Sequence, residues 1–282
     1  MILVFGHSGQ VAKELGAFED IVTLNRHQAD LSNPKSCRDA ILKYNPDAVI
    51  NAAAYTDVDK AEDEEELATL INADAPICMA NTCAEVGIPF VHISTDYVFE
   101  GTGEDPWLPS DKTNPKNAYG RSKLAGEKGV IASSAIYVIL RCSWIISAHG
   151  KNFIKTILKL SKSTERLSVI NDQIGAPTPA FDVANACYKI VMELLNDSKK
   201  SGIYHFSGMP YVSWYDFAKE IFIQAKLNID LIPINSVYYN SKAKRPNNSR
   251  LDCSDIKEKF DIELPDWRNS LKLIIKDLEN IS

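Results

Sequence analysis

Long apolar runs and regularly spaced cysteines are both missing from this chain of 282 residues. No apolar stretch approaches the roughly 20 residues that a membrane-spanning helix needs, so we expect no membrane partner. The six cysteines are scattered, without a CxxC pair or the Cys/His spacing of a metal site. This pattern favours buried, reduced thiols in a cytoplasmic protein over redox or metal chemistry.

Basic residues are fewer than acidic residues in this chain. The chain has 31 Lys and Arg against 37 Asp and Glu, a formal net charge of −6. This balance argues against nucleic acid or an anionic membrane as the main partner. The apolar N-terminus, residues 1–6, is too short for a signal peptide and lacks its basic flank, which supports the cytoplasmic prediction. We find no internal repeat and no low-complexity tract.

What the sequence does contain is a regular alternation of short apolar runs and helical patterns. The runs predict buried strands at residues 2–5, 21–24, 48–51, 89–94 and 136–141. Between and after them, helices are predicted at 11–18, 34–44, 62–86 and in the segment following residue 115. Beyond residue 144 the pattern loosens, with helices predicted at 152–160 and 214–225 and strands at 167–170 and 202–206.

This alternation predicts the α/β class, with a Rossmann-type doubly wound parallel sheet and a smaller α/β substrate-binding domain. We assign residues 1–144 to the dinucleotide-binding domain and expect 179–208 to return to it. Residues 145–178 and 209–282 would form most of the substrate-binding domain, packed over the carboxyl ends of the strands.

A glycine loop joins the first predicted strand to the first predicted helix. Gly6 would allow the turn, Gly9 would let the backbone approach a pyrophosphate, and Gln10 and Val11 open the helix. The N-terminus of a helix offers amide hydrogens and a partial positive charge to phosphates. The loop therefore predicts a dinucleotide site, although a glycine pair that only forms a turn is the alternative.

The end of the second predicted strand carries no acidic residue to bind the ribose 2′-hydroxyl of NADH. Arg26 beside Asn25 instead favours the 2′-phosphate of NADPH, with a solvated arginine as the alternative and NADH still allowed. Asp30 and Leu31 follow and could bracket the adenine. The third predicted strand ends in small residues that would let the cofactor lie against the backbone: Ala52, Ala53 and Ala54, followed by Tyr55.

Tyr119 and Lys123 are four residues apart and so share one face of a predicted helix. A phenol titrates near pH 10, and a neighbouring ammonium would lower the pKa of Tyr119 toward the working range of a general acid. Thr95, at the end of the fourth predicted strand, could share a proton with Tyr119. Each motif has a plainer alternative, surface side chains for Tyr119 and Lys123 and a strand-ending turn for residues 94–97. The acidic stretch 57–66, including Asp59, is interpreted as a solvated helix start rather than a metal site.

Together the motifs resemble the extended short-chain dehydrogenase/reductases and, within them, the dTDP-4-dehydrorhamnose reductase family. In the first half, the resemblance rests on the glycine loop, residues 51–54, 58–62 and 94–99, and the Tyr119–Lys123 pair. In the second half, it rests on residues 141–144, 152–153, 171–178 and 245–251. It covers essentially the whole chain.

The resemblance implies reduction of the C4 keto group of dTDP-4-dehydro-L-rhamnose by NADPH or NADH, in dTDP-rhamnose and cell-surface polysaccharide biosynthesis. By this resemblance Tyr119 donates the proton to the C4 oxygen, Lys123 holds the nicotinamide ribose, and Thr95 completes the catalytic set. Thr95, Asp96 and Trp144 match positions beside the sugar. Asn152 and Arg250 match positions near the nucleotide diphosphate.

Three alternatives to this assignment stay open. The substrate could be another nucleotide 4-keto-6-deoxy sugar, or the chain could be a non-catalytic, NADP-binding regulatory subunit. An epimerase or dehydratase ranks lower, because Thr95-Asp96 lacks the Asp-Glu pair expected for 4,6-dehydration. The family also allows a homodimer bridged by Mg²⁺, for which the sequence assigns no ligands.

Overall fold

The computed structural model describes residues 1–281, with the side chain of residue 281 left aside. The first half of the chain contributes five strands of its central sheet: β1 (Ile2–Phe5), β2 (Ile21–Leu24), β3 (Ala48–Asn51), β4 (Phe90–Thr95) and β5 (Tyr137–Cys142). The helices in this half are α1 (Gln10–Leu15), α2 (Pro34–Tyr44), α3 (Glu65–Thr69), α4 (Ala75–Val86) and α5 (Ala118–Ala132).

Short strands alternate with helices in the second half. The strands are β6 (Ile145–Ile146), β7 (Arg166–Ile170), β8 (Ile174–Gly175), β9 (Thr178–Pro179), β10 (Gly202–Phe206), β11 (Val212–Ser213) and β12 (Asp230–Ile234). The helices are α6 (Phe153–Leu160), α7 (Ala180–Asn196), α8 (Trp214–Gln224), α9 (Ser254–Phe260) and α10 (Trp267–Ile281).

The central sheet is parallel throughout, in the order β10-β5-β4-β3-β1-β2. Its strands are mainly apolar because helices cover both faces. In β1, Ile2 and Val4 join one core cluster, while Leu3 and Phe5 join the cluster on the opposite face. The predicted fold class is therefore confirmed. The strand order reverses between β1 and β3, and a crevice at such a point is where these folds bind ligands.

Two stretches of the second half also belong to this sheet layer. β10 pairs with β5 along residues 202–206, and α7 packs against α1 and against β3 and β4. The remaining elements have a separate core in which α6, α8 and α10 meet around Phe217 and Trp267. The pairs β7–β12 and β8–β11 lie outside the central sheet. The exact domain division stays a prediction.

Two predicted helices differ from the observed ones. The helix predicted at 11–18 ends at Leu15, because residues 16–18 turn back through backbone bonds to Ala12, Glu14 and Leu15. The stretch 62–86 contains a π turn at Leu70–Asp74 between α3 and α4. The Asn72 side chain in this turn accepts from the Tyr55 backbone N–H and donates to the Tyr55 carbonyl. Among the described residues, no helix has the length and apolarity to cross a membrane.

Candidate active site

A crevice of about 730 Å³ lies along the carboxyl ends of the central strands. Most of the residues predicted from the sequence line it: Gly6, Gly9, Gln10, Val11, Asn25, Arg26, Asp30, Leu31, Ala52, Ala53, Ala54, Thr95, Asp96, Tyr119, Lys123 and Trp144. Three predicted residues, Tyr55, Asn152 and Arg250, are not among its lining. The fold thus brings together residues that are more than 130 positions apart along the chain.

The glycine loop has the geometry that a dinucleotide needs. Gly6 adopts φ +116°, which side chains rarely tolerate, and a Cβ there would lie 3.3 Å from Cβ of Ala12. A Cβ on Gly9 would meet nothing closer than the Ala52 carbonyl oxygen at 4.0 Å, so the space above Gly9 is open. Gly9 is also the N-cap of α1 and offers no side chain to the first-turn amides. These amides and this space fit a diphosphate.

The mouth of the crevice at β2 carries one exposed cation. The Arg26 side chain is 75% exposed, and its Nε donates to Asp30 at 3.3 Å. The Asn25 side-chain oxygen accepts from the backbone of His27, which closes the turn that presents Arg26. An exposed guanidinium with a single, long ion pair remains free to meet an anionic group.

The start of α5 fixes Tyr119 against the end of β4. Asn117 caps the helix by accepting from the Gly120 amide at 2.7 Å. A Cβ on Gly120 would lie 2.3 Å from the Tyr97 carbonyl oxygen, so only glycine allows this approach. The rings of Tyr97 and Tyr119 meet edge to face with centroids 5.5 Å apart. Tyr119 is consequently held next to Thr95.

One sequence expectation for Tyr119 is wrong in this structure. The surrounding protein removes water from the phenol and thereby raises the pKa of Tyr119 instead of lowering it. The Thr95 hydroxyl acts in the opposite direction by hydrogen bonding. Lys123 is not among the groups that shift this pKa. The phenol is therefore held in its protonated form, which is the form that can donate a proton.

Lys123 lines the crevice but is almost fully buried, at 1% exposure. Its Nζ donates to the Ile93 carbonyl at 2.7 Å and lies 3.2 Å from Nε2 of His92. Burial lowers the pKa of Lys123 to about 8, while the carboxylate of Glu127 opposes that shift. Lys123 can consequently gain or lose a proton close to neutral pH.

Asp96 lines the crevice and has one buried carboxylate oxygen without a hydrogen-bond partner among the described residues. The side chain is only 2% exposed, and its Oδ1 accepts from the Thr95 hydroxyl at 3.1 Å. In the described part of the chain, its Oδ2 has no hydrogen-bond partner. Burial raises the pKa of Asp96 to about 6, although Ser249 and Thr95 favour the ionised form. A buried acceptor without a partner is costly, and a ligand hydroxyl would satisfy it.

Two stacked indoles line the crevice. The rings of Trp144 and Trp214 have centroids 3.5 Å apart and an interplanar angle of 13°. Gly175 packs against this pair, because a Cβ there would lie 2.7 Å from the ring of Trp144. Trp214 was not predicted from the sequence, because only its long-range stacking on Trp144 reveals its place. Gly150 and Lys151, which line the same crevice, were not predicted either.

The three residues outside the lining have partners within the protein. The Asn152 amide nitrogen donates to the Ser147 carbonyl at 2.7 Å, and its oxygen caps α6. Arg250 donates to the Asn248 side chain at 3.0 Å. The Tyr55 hydroxyl donates to Glu64 at 2.9 Å. These three residues therefore make contacts within the protein near the crevice, and the predicted direct contacts with cofactor or substrate are not supported by their positions.

No metal centre is found within residues 1–281, where no group of three or more His, Cys, Asp or Glu is arranged to hold an ion. Asp59, from the acidic stretch, instead pairs with Arg245 at 2.7 Å. The expectation of a Mg²⁺ site thus gains no support from these residues.

Comparisons with known proteins converge on one family. The family model described as RmlD substrate binding domain matches residues 1–280. A dTDP-4-dehydrorhamnose reductase of Shigella flexneri is 40% identical over 98% of this chain and 97% of its own length. A spore coat polysaccharide biosynthesis protein of Bacillus subtilis is 35% identical over 98% of this chain and 97% of its own.

Solved structures give the same result. The crystal structure of a Bacillus anthracis dTDP-4-dehydrorhamnose reductase in complex with NADP has a TM-score of 0.90 and 32% identity, covering 98% of both chains. A dTDP-glucose 4,6-dehydratase of Streptomyces venezuelae, at 15% identity and a TM-score of 0.80, shares the fold. The match of the family model over nearly the whole chain, with these relatives, shows that the chain belongs to the RmlD family of extended short-chain dehydrogenase/reductases.

Proposed function

We propose that this chain is an NADPH-dependent reductase that converts dTDP-4-dehydro-β-L-rhamnose to dTDP-β-L-rhamnose, as a step in cell-surface polysaccharide biosynthesis. The observation that carries the proposal is the joint position of Thr95, Tyr119 and Lys123 on one crevice with an open glycine loop. The 40% identical reductase of Shigella flexneri gives the substrate.

The catalytic roles follow from the protonation states of the side chains. Tyr119, whose pKa is raised by burial, keeps its proton and donates it to the C4 oxygen as that oxygen gains charge. The Thr95 hydroxyl has one hydrogen, which Asp96 accepts in this structure, and it would turn to the phenolate that Tyr119 leaves and stabilise it. Lys123 is buried, and its Nζ donates to the Ile93 carbonyl. This nitrogen would accept and donate a proton during the reaction. A bound nicotinamide would supply the hydride.

The same geometry assigns the binding roles. Gly6, Gly9 and the first turn of α1 would hold the diphosphate of the coenzyme, and Ala52 to Ala54 its ribose. Arg26 would meet a 2′-phosphate, which supports NADPH over NADH. The NADP in the Bacillus anthracis reductase is consistent with this preference. Asp96, Trp144 and Trp214 would contact the sugar, Asp96 through its unpaired oxygen.

The test is a coupled assay of the purified chain with dTDP-4-dehydro-L-rhamnose and each coenzyme, with identification of the product. We expect oxidation of NADPH at a higher kcat/KM than NADH. In Tyr119→Phe, kcat should fall by about 10²–10⁴-fold, the usual contribution of a positioned general acid. NADPH binding, measured by fluorescence titration, should be retained.

Tyr97→Phe is the control for Tyr119→Phe. Tyr97→Phe removes a hydroxyl from the ring that packs on Tyr119 and should keep most of the activity. Equal turnover by Tyr119→Phe and the wild type would exclude Tyr119 as the proton donor. If the enzyme reduces a different nucleotide 4-keto-6-deoxy sugar but not dTDP-4-dehydro-L-rhamnose, that sugar would be assigned as the substrate instead. Coenzyme binding without turnover of any such sugar would favour a regulatory subunit.

A further inference from the structure

His92 is a fully buried titratable side chain, at 0% exposure, with no part in the chemistry proposed above. It lies on β4, in register with Asn51 of β3. Its Nδ1 is 3.1 Å from the side-chain nitrogen of Asn51, and its Nε2 is 3.2 Å from Nζ of Lys123. The imidazole thus joins the end of β3 to the buried amine of the active site.

Asn51 determines which nitrogen of His92 carries the hydrogen. The Asn51 oxygen accepts from the Ala53 amide at 3.1 Å, so its NH₂ group faces Nδ1 of His92 and donates to it. A neutral imidazole has one donor and one acceptor nitrogen. Since Nδ1 accepts, the hydrogen lies on Nε2 and is directed at Lys123. Burial holds the pKa of His92 well below its ordinary value, and the Lys123 ammonium, when present, acts in the same direction, so the ring stays neutral.

An N–H group directed at Nζ favours the amine over the ammonium, because only the amine has a lone pair to accept it. The amine then keeps one hydrogen for the Ile93 carbonyl and one for the crevice. Other groups act on Lys123 as well. Glu127 of α5 and Cys142 of β5 favour the ammonium, whereas burial disfavours it. The phenol of Tyr119 lies on the same face of α5, one turn away.

We propose that Asn51 and His92 form a positioning pair that holds Lys123 and directs an Nε2–H group at its Nζ. This contact lowers the cost of passing a proton from the Lys123 ammonium toward the Tyr119 phenolate, and solvent then returns a proton to the Lys123 amine. Neither residue touches the reacting atoms; both act through Lys123. The part of this inference that concerns turnover rests on the proposed reductase function, whereas the hydrogen-bond arrangement stands independently of it.

The arrangement is tested by ¹⁵N–¹H long-range correlation spectra of the full chain with labelled histidine. We expect His92, assigned by its loss in His92→Gln, to carry its hydrogen on Nε2. His205 provides an internal control of the opposite kind. It is also at 0% exposure, but its Nδ1 lies 3.0 Å from the Trp107 carbonyl and must donate to it. A His92 ring protonated on Nδ1, or on both nitrogens, at pH 7 would overturn the proposal.

The consequence for catalysis is tested by the pH profile of kcat. Asn51→Asp keeps an oxygen for Ala53 and places another at Nδ1, which moves the His92 hydrogen to Nδ1 and makes Nε2 an acceptor for an ammonium. The alkaline limb of the profile should therefore move up by about one pH unit, with a smaller change in KM for the sugar. His205→Gln should leave the limb in place.

His92→Gln, whose amide oxygen can accept from an ammonium, should shift the limb in the same direction and keep the inference testable if Asn51→Asp does not fold. An unchanged alkaline limb in a folded variant would overturn the proposal that this pair acts on Lys123. If the wild type turns over no keto-sugar at all, the proposed function fails, but the spectra still decide the position of the His92 hydrogen.

Discussion

At the scale of single residues, the crevice is defined by groups whose environment disfavours their ordinary charge. Tyr119, Asp96 and Lys123 are all desolvated, and in each case burial is the first cause of the altered pKa. Perturbed groups of this kind cluster at functional sites. The combination suits a site that moves one proton and must keep it from solvent.

Asp96→Asn is expected to change how stability depends on pH. The pKa of Asp96 is raised to about 6, so its contribution to stability is present in acid and is lost as pH rises through that value. The variant avoids this loss. Its free energy of unfolding, relative to the wild type, should therefore increase by about 1–3 kcal/mol between pH 4 and pH 8.

Urea unfolding at the two pH values measures this difference. Asp39→Asn, on the exposed side of α2, is the control and should show the same difference from wild type at both. If the difference in unfolding free energy between Asp96→Asn and the wild type is the same at both pH values, burial does not raise the pKa of Asp96. Turnover of the variant should fall, because its amide no longer offers the free carboxylate oxygen.

Sequence patterns predicted that Thr95, Tyr119 and Lys123 share one site, but not their interactions. The spacing of Tyr119 and Lys123 gave their shared helix face, and Thr95 followed from the end of a strand. The partners of Lys123 could not be predicted, because His92 and Ile93 come from another element. For the same reason the sign of the shift at Tyr119 was wrong: burial is a property of the folded surroundings.

At the scale of elements, α5 depends on close backbone approach. A Cβ on Gly126 would lie 2.1 Å from the carbonyl oxygen of Asn72, which is in the π turn. The side chain of Asn72 also donates to Ser122 of α5. The sequence predicted residues 62–86 to be largely helical and did not predict this π turn, because the spacing of apolar residues does not reveal one extra residue in a turn. The strands of the central sheet were predicted closely, because burial on both faces gives each a mainly apolar run.

Gly126→Ala should lower stability despite the better helix propensity of alanine. Propensity favours alanine by about 1 kcal/mol, but the new methyl group must displace the backbone at Asn72. We expect a net loss of about 1–3 kcal/mol in the free energy of unfolding. Chemical denaturation measures it.

Gly129→Ala is the matched control on the same helix. Its Cβ would meet atoms of the Ile77 side chain, which can change rotamer, rather than backbone. The loss there should stay smaller than that of Gly126→Ala. Equal losses would show that the contact with the π turn has no special cost.

At the scale of the whole molecule, the loop at residues 240–250 ties the two halves of the chain together. Arg245 pairs with Asp59, Lys242 pairs with Asp63, and the Lys244 carbonyl accepts from Asn117, the cap of α5. The sequence showed this loop as polar and basic. Its acidic partners, about 180 positions away, could not be predicted from the sequence alone.

Arg245→Gln should loosen this connection and thereby the start of α5. We expect KM for the sugar nucleotide to rise by about two- to fivefold, the scale of a partly exposed ion pair, with little change in kcat. The backbone after Lys242 or Lys244 should also become more accessible to trypsin. Steady-state kinetics and limited proteolysis measure the two effects.

Arg268→Gln removes a comparable but local pair, between Arg268 and Asp266 at 2.6 Å, and should leave KM unchanged. A rise in KM for both variants would point to a general loss of stability. No change in either would show that the loop connection does not influence the crevice.

The stacked pair of Trp144 and Trp214 has a practical consequence. Both indoles line the crevice, whereas the chain's other tryptophans, Trp107 and Trp267, pack within the protein. Reduced nicotinamide absorbs where indole emits, so coenzyme bound there would quench this emission by energy transfer. The molecule therefore contains its own optical probe, and occupancy can be followed in the unlabelled protein.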